Sequence, residues 1–203
     1  MDWLVLLIGG HSAAGKTTAA ERLGRALGVP WLMVDDLRLA FQRADVTLPS
    51  GTKALYADRQ PDFRKSTPEE QCAALIDVGY VMSAALEAIV ENHVDQQVPI
   101  VIEGDGILPS LLARPPMLER AAWIRAAFIV EPDESSLRIA LASHHGTRAV
   151  GRGQDELQAE AKAKWMFGQW LAAEASRQGL AVVEPRPWDT LPERLIEAVV
   201  GAR

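Results

Sequence analysis

"LVLLIGGHSAAGKTTAAERLG", residues 4–24, decides how this chain is read. An apolar run ends on Gly9 and Gly10, crosses a small loop and enters a helical pattern through Gly15-Lys16-Thr17. Gly10, four residues, then Gly15-Lys16-Thr17 is the spacing with which a strand-to-helix loop turns backbone N–H groups and a helix N-terminus toward an anion. The first ligand expected is therefore a nucleoside triphosphate. The candidate cradle is the backbone of Gly10, His11, Ser12, Ala13, Ala14, Gly15, Lys16, Thr17 and Thr18. Lys16 would neutralise the β and γ phosphates and the Thr17 hydroxyl would bind Mg²⁺. The plainer alternative is a glycine-rich turn that holds nothing; the flanking strand and helix argue against it.

Outward from the loop, residues 3–8 form a continuous apolar run, as in a strand buried on both faces of a parallel sheet. After the loop, Ala19, Leu23, Ala26 and Leu27 recur at helical spacing until Gly28 and Pro30 stop them. A second strand-then-helix unit follows in "VPWLMVDDLRLAFQRA": an apolar strand to Val34, two aspartates, then Leu37, Ala40, Phe41 and Ala44 at helical spacing. From Pro49 to Lys65 the chain is polar and aperiodic, which reads as a loop or short insertion. Thr67, Pro68 and Glu70 then open a helix with a capping box, expected to run to about His93 and to cross the core.

Three more strands are expected near 98–104, 126–132 and 180–185, with a long helix from about Asp155 to Gln178 between the last two. This alternation predicts an α/β fold with a largely parallel sheet. Residues 1–203 carry no internal repeat or linker, so a single domain is expected, with a substrate-region insertion at about 45–95 and a lid at about 143–155.

Composition narrows the function. With 48% hydrophobic and 24% charged residues the chain is that of an ordinary globular protein. A net charge of -6 and a pI near 5.3 oppose broad attraction to nucleic acid or to an anionic membrane surface, so neither is an expected partner. Anionic ligands must be held by local groups. Cys72 is the one cysteine, which excludes an internal disulfide and a cysteine zinc cluster and suits a reducing compartment. The opening apolar run is short and lacks a basic start, unlike a signal peptide. No later stretch reaches the roughly 18 to 20 uninterrupted apolar residues of a membrane span. The expected location is the cytoplasm.

"IGGHSAAGKTT", "VDDLRLA" and "IVIEGDGILP" together resemble the 2-phosphoglycerate kinase-like proteins. The Asp-x-x-Arg element after the second strand is similar to that of polynucleotide kinase, zeta toxins and chloramphenicol phosphotransferase, all P-loop small-molecule kinases. The Asn-Lys-x-Asp segment of GTPases and the Asp-Gly-Phe-Pro-Arg signature of adenylate kinases are missing from the sequence. The resemblance implies a three-layer P-loop fold with a five-stranded parallel sheet in the order 2-3-1-4-5. It also implies ATP and Mg²⁺ as cofactors and γ-phosphate transfer to a hydroxyl of a small-molecule acceptor. The alternative from another class is an ATP-binding regulator or slow NTPase without such an acceptor.

The same resemblance assigns the remaining site residues. The carboxylate that orients the acceptor maps onto Asp35, three residues before Arg38, an acceptor-binding cation. Asp36 would cap the following helix, or the two aspartates would exchange roles; the plainer reading has both merely capping it. Glu103 closes the third strand, where related kinases hold Mg²⁺ through water or contact the acceptor, and Asp105 could share that task. Arg148 or Arg152, in "HHGTRAVGRGQ", would close as a lid arginine over the transferred group. Arg186 and Trp188, after the last strand, are weaker candidates for contact with the base.

Overall fold

The computed structural model describes residues 2–48, 53–60, 62–145 and 153–201, excepting the side chains at 58, 144, 145 and 201. Strand β1 (Val5–Gly10) occupies the middle of a five-stranded sheet, between β3 (Ile100–Gly104) and β4 (Ile124–Ile129). The short strands β2 (Trp31–Met33) and β5 (Ala181–Val183) lie outside β3 and β4, and all pairings are parallel. The order is therefore β2-β3-β1-β4-β5, as the resemblance implies.

Strand β1 runs apolar without a break because both of its faces are buried. Val5 and Leu7 enter one core and Leu6 and Ile8 the other, all fully buried. Strand β4 divides likewise: Ile124, Ala126 and Phe128 face one side, Ala127 and Ile129 the other. At roughly 1.5–3 kcal/mol for each fully buried large apolar side chain, these strands supply much of what holds the sheet between its helices.

Helices α1 (Lys16–Leu27) and α7 (Leu191–Gly201) cover one face through Ala19, Leu23, Leu191, Leu195 and Val199. The other face packs against α2 (Val34–Ala44), α3 (Pro68–Asp95) and α6 (Gln154–Arg177). The short α4 (Pro115–Glu119) precedes β4, and α5 (Glu134–His145) follows it. Thr67 caps α3: its hydroxyl accepts from the Glu70 N–H at 3.2 Å while Glu70 accepts from the Thr67 N–H at 2.8 Å. By length and composition α3 could cross a membrane, but Met82, Leu86 and Val90 are fully buried in the same core as the sheet.

Some boundaries differ from expectation. The second strand ends at Met33, and Val34 already opens α2, because its side chain turns into the core against Gly104. Helix α3 runs two residues past His93, to Asp95. Within the polar stretch 49–65, Lys53–Arg59 and Phe63–Lys65 form 3-10 helices. The first is anchored by the fully buried Leu55, whose carbonyl accepts from Gln42 Nε2.

Candidate active site

Parallel register brings three strand ends together. Gly9 pairs with Gly104 and Gly10 with Ile129, so the loop after β1 lies between the segments leaving β3 and β4. This is where open parallel sheets hold their ligands. Gly15 adopts a left-handed conformation (φ 79°), and a β-carbon there would lie 2.5 Å from Cζ3 of Trp188. Ala13 is also left-handed, at φ 62°, a strained conformation for a residue with a side chain. The N-cap of α1 is Gly15, which has no side chain with which to cap the helix's first N–H groups.

The loop's polar side chains converge on Asp105. Lys16 Nζ donates to Asp105 Oδ1 at 2.6 Å and to the His11 carbonyl at 2.9 Å, and Ser12 Oγ donates to Asp105 Oδ2 at 2.7 Å. An internal carboxylate thus occupies an oxyanion cradle built from two loop side chains. Burial alone would raise the Asp105 pKa, but the Lys16 charge and the bonds from Lys16 and Ser12 hold it below the ordinary value. Burial opposes the charge on Lys16, yet the Asp105 and Glu103 carboxylates outweigh it and raise its pKa.

Beside this pair, Thr17 Oγ1 donates to Glu103 Oε1 at 2.8 Å. Glu103 is paired in register with Ile8 and Met33, which sets it between the ends of β1 and β2. Burial raises its pKa despite the opposing Lys16 charge and Thr17 bond. Asp35, in the first turn of α2, lies with Oδ1 3.6 Å from Arg38 Nε, and its side chain is 52% exposed at the mouth of the site. The surrounding protein raises its pKa by desolvation, and the like charge of Asp105 adds to this against Arg38 and Lys16. Neither Asp35 nor Asp36 makes a side-chain cap to α2, which corrects the capping expected of Asp36; Met33 stands at the N-cap position.

His11 turns inward. Its Nε2 accepts the Glu131 N–H at 2.9 Å, so Nδ1 carries the proton and donates to the Ser12 carbonyl at 2.8 Å. Burial lowers its pKa to about 4. The ring is therefore a neutral strut between the loop and the end of β4. Glu131, itself buried, accepts from Arg186, and the adjoining Trp188 rests against Gly15, which closes a ring of contacts back to the loop. In this structure Arg186 is committed to Glu131 and Trp188 to Gly15.

The expected residues Lys16, Ser12, Thr17, Asp35, Arg38, Glu103 and Asp105 thus gather at one end of the sheet, linked by contacts and electrostatic coupling. The Ala14 N–H donates to the His11 carbonyl at 3.3 Å, within the loop itself. Arg148 and Arg152 lie outside the described residues. Two neighbours of the site carry no motif: Glu131, and Lys164 on α6, whose charge is felt by both Asp105 and His11. Gly168, one helical turn beyond Lys164, is their structural clue, since a β-carbon there would meet His11 Cδ2 at 2.7 Å.

No family model matches the sequence, and no curated protein matches it. Solved structures do match its fold. A candidate kinase from Chloroflexus aurantiacus j-10-fl is 13% identical with a TM-score of 0.54, each chain covered over 100% of its length. Shikimate kinase from Acinetobacter baumannii, in complex with shikimate, is 13% identical over 99% of this chain and 95% of its own, with a TM-score of 0.52. A gluconokinase from Sinorhizobium meliloti 1021 is 14% identical over 97% and 91%, with a TM-score of 0.51. The chain has the P-loop kinase fold. Its structural neighbours are small-molecule kinases.

Proposed function

We propose that this protein is an ATP- and Mg²⁺-dependent phosphotransferase that delivers the γ-phosphate to a hydroxyl of a small-molecule acceptor. The observation that carries this reading is the oxyanion cradle, in which Ser12 and Lys16 hold the Asp105 carboxylate where a phosphate would sit. A carboxylate is a serviceable stand-in for a phosphoryl group, so the donor set fits an anion.

Each residue then has a task. Lys16, Ser12 and the N–H groups at the start of α1 bind and orient the phosphates. Thr17 and Glu103, already joined at 2.8 Å, would hold the divalent ion together with the nucleotide's own phosphates. That ion, when bound, neutralises charge on the transferred group. Asp35 accepts a hydrogen bond from the acceptor hydroxyl and takes its proton, a role suited to a carboxylate whose pKa is raised and whose face is open. Arg38 steadies Asp35 and binds the acceptor, and Arg148 or Arg152 would close over the reacting groups.

The test is ADP release with Mg·ATP across pooled acceptors, with Lys16→Ala and Asp35→Asn alongside. The pools follow the family resemblance and the neighbours' names: phosphorylated metabolites, nucleotide sugars, aminoglycoside and phenicol antibiotics, and hydroxy acids such as shikimate and gluconate. One pool should accelerate ADP formation, and both variants should abolish that acceleration. Slow release indifferent to every pool and to Asp35→Asn would instead make the protein a regulator or slow NTPase.

A further inference from the structure

We infer that Lys164 of α6 is a ligand for a phosphoryl oxyanion above the loop, held ready there by Glu160. The inference rests on the reading of that loop as a nucleotide site. Its first support is the placement of α6. Gly168 packs against the His11 ring, Trp165 Nε1 donates to the Pro132 carbonyl at 3.0 Å, and Gln169 Nε2 donates to the Glu131 carbonyl at 3.3 Å. These contacts fix the helix to both the loop and the end of β4. Lys164 and Glu160 lie one and two turns before Gly168 on the same face. Side chains on a helix tilt toward its N-terminus, so the Lys164 ammonium is carried beyond His11, away from the sheet and over the loop.

The second support is the state of the pair. Lys164 Nζ donates to Glu160 Oε1 at 2.5 Å, and the two side chains are 12% and 18% exposed. A Glu–Lys pair at this spacing on an open helix face contributes only a few tenths of a kcal/mol. Holding charges in a confined place carries a desolvation cost that a helix-face pair of this kind does not by itself offset. Among the described residues Lys164 makes this one hydrogen bond, leaving two of its three ammonium donors unused. Its positive charge reaches Asp105, the carboxylate that now fills the cradle. A phosphoryl group that displaced Asp105 would meet Lys16 and Ser12 on one side and Lys164 on the other.

The oxyanion has two sources, the γ-phosphoryl group of the nucleotide or an anionic group on the acceptor. Calorimetric titration of the full chain with Mg·AMP-PNP and with Mg·ADP separates them. If the ligand is the γ-phosphoryl group, Lys164→Met weakens Mg·AMP-PNP binding about tenfold, leaves Mg·ADP unchanged, and Lys164→Arg restores most of the loss. If it is the acceptor's group, both nucleotides bind as in the wild type, and inorganic phosphate binds the AMP-PNP-loaded wild type but not the loaded Lys164→Met. Glu160→Gln keeps the lysine and removes its competitor, so it tightens whichever of these two interactions Lys164 makes. No change in either interaction with Lys164→Met or Glu160→Gln overturns the inference, while wild type that fails to bind Mg·AMP-PNP overturns the nucleotide reading beneath it. Wild type that binds the analogue and yet turns over no acceptor overturns phosphotransfer alone.

Discussion

Asp105 and Lys16 stand 2.6 Å apart, inside the loop whose spacing calls for a phosphate. The lysine is almost wholly buried, and Ser12 donates a second hydrogen bond to the carboxylate. On the proposed reading, nucleotide binding would exchange one anion for another, and the incoming phosphate would have to outcompete an internal carboxylate that is already well held.

That competition predicts opposite effects for its two partners. Asp105→Asn removes the internal anion and should tighten metal-free ATP binding about three- to tenfold. Lys16→Ala should abolish ATP binding and leave Asp105 without its counter-charge, at a stability cost of about 1–3 kcal/mol. The double variant should recover most of that stability and none of the binding. Chemical denaturation and calorimetry of the four proteins check the cycle.

Asp35 offers a trade between stability and function. Its pKa is raised, so the folded state binds a proton more readily than the unfolded chain does, and holding this carboxylate ionised at neutral pH costs the fold some stability. Stability gained by protonation is present below the ordinary carboxylate range and lost as pH rises through the raised value. Asp35→Asn should therefore raise the thermal midpoint at pH 7 slightly, by about 1–2 °C given its open position, while abolishing acceptor-dependent turnover. A lowered midpoint would mean that its contact with Arg38 outweighs the crowding.

How much of this was legible follows from what burial does to sequence. Strands β1, β3 and β4 are buried on both faces, so they run apolar and stand out between glycines. Thr67-Pro68 and Glu70 announce the start of α3 because capping is local chemistry. The cradle is legible for the same reason: its spacing is confined to one loop. Asp105 is harder, since which of two carboxylates two residues apart reaches Lys16 depends on the turn after β3. The inward ring of His11 and the position of Lys164 leave no local trace. Both depend on the rotation of α6, which the contact between Gly168 and His11 fixes across more than 150 residues of chain.

That contact is itself testable. Gly168→Ala places a methyl group 2.7 Å from His11 Cδ2, and neither the helix nor the loop can yield without loosening the other. The expected cost is about 1–3 kcal/mol. It should come with weaker Mg·ATP binding, because the displaced ring carries the loop backbone with it.

The same ring gives the fold a pH signature. His11 is buried and neutral, with its pKa lowered from 6.5 to about 4. Between those values the unfolded chain binds a proton that the folded protein refuses, so stability is full above about pH 6.5 and falls as pH drops toward 4. The loss attributable to this one ring approaches about 3 kcal/mol at the acid end. Asp105, with its lowered pKa, adds a loss in the same direction at still lower pH, whereas protonation of Asp35 and Glu103 acts the other way. These carboxylate contributions largely cancel when wild type is compared with His11→Gln, which keeps a polar group but has no proton to gain. Denaturation midpoints measured from pH 7.5 to 4 should therefore converge as pH falls, the wild type losing its advantage over the variant. Parallel curves would show that His11 is protonated in the folded protein, and with a proton on Nε2 it could no longer accept the Glu131 N–H.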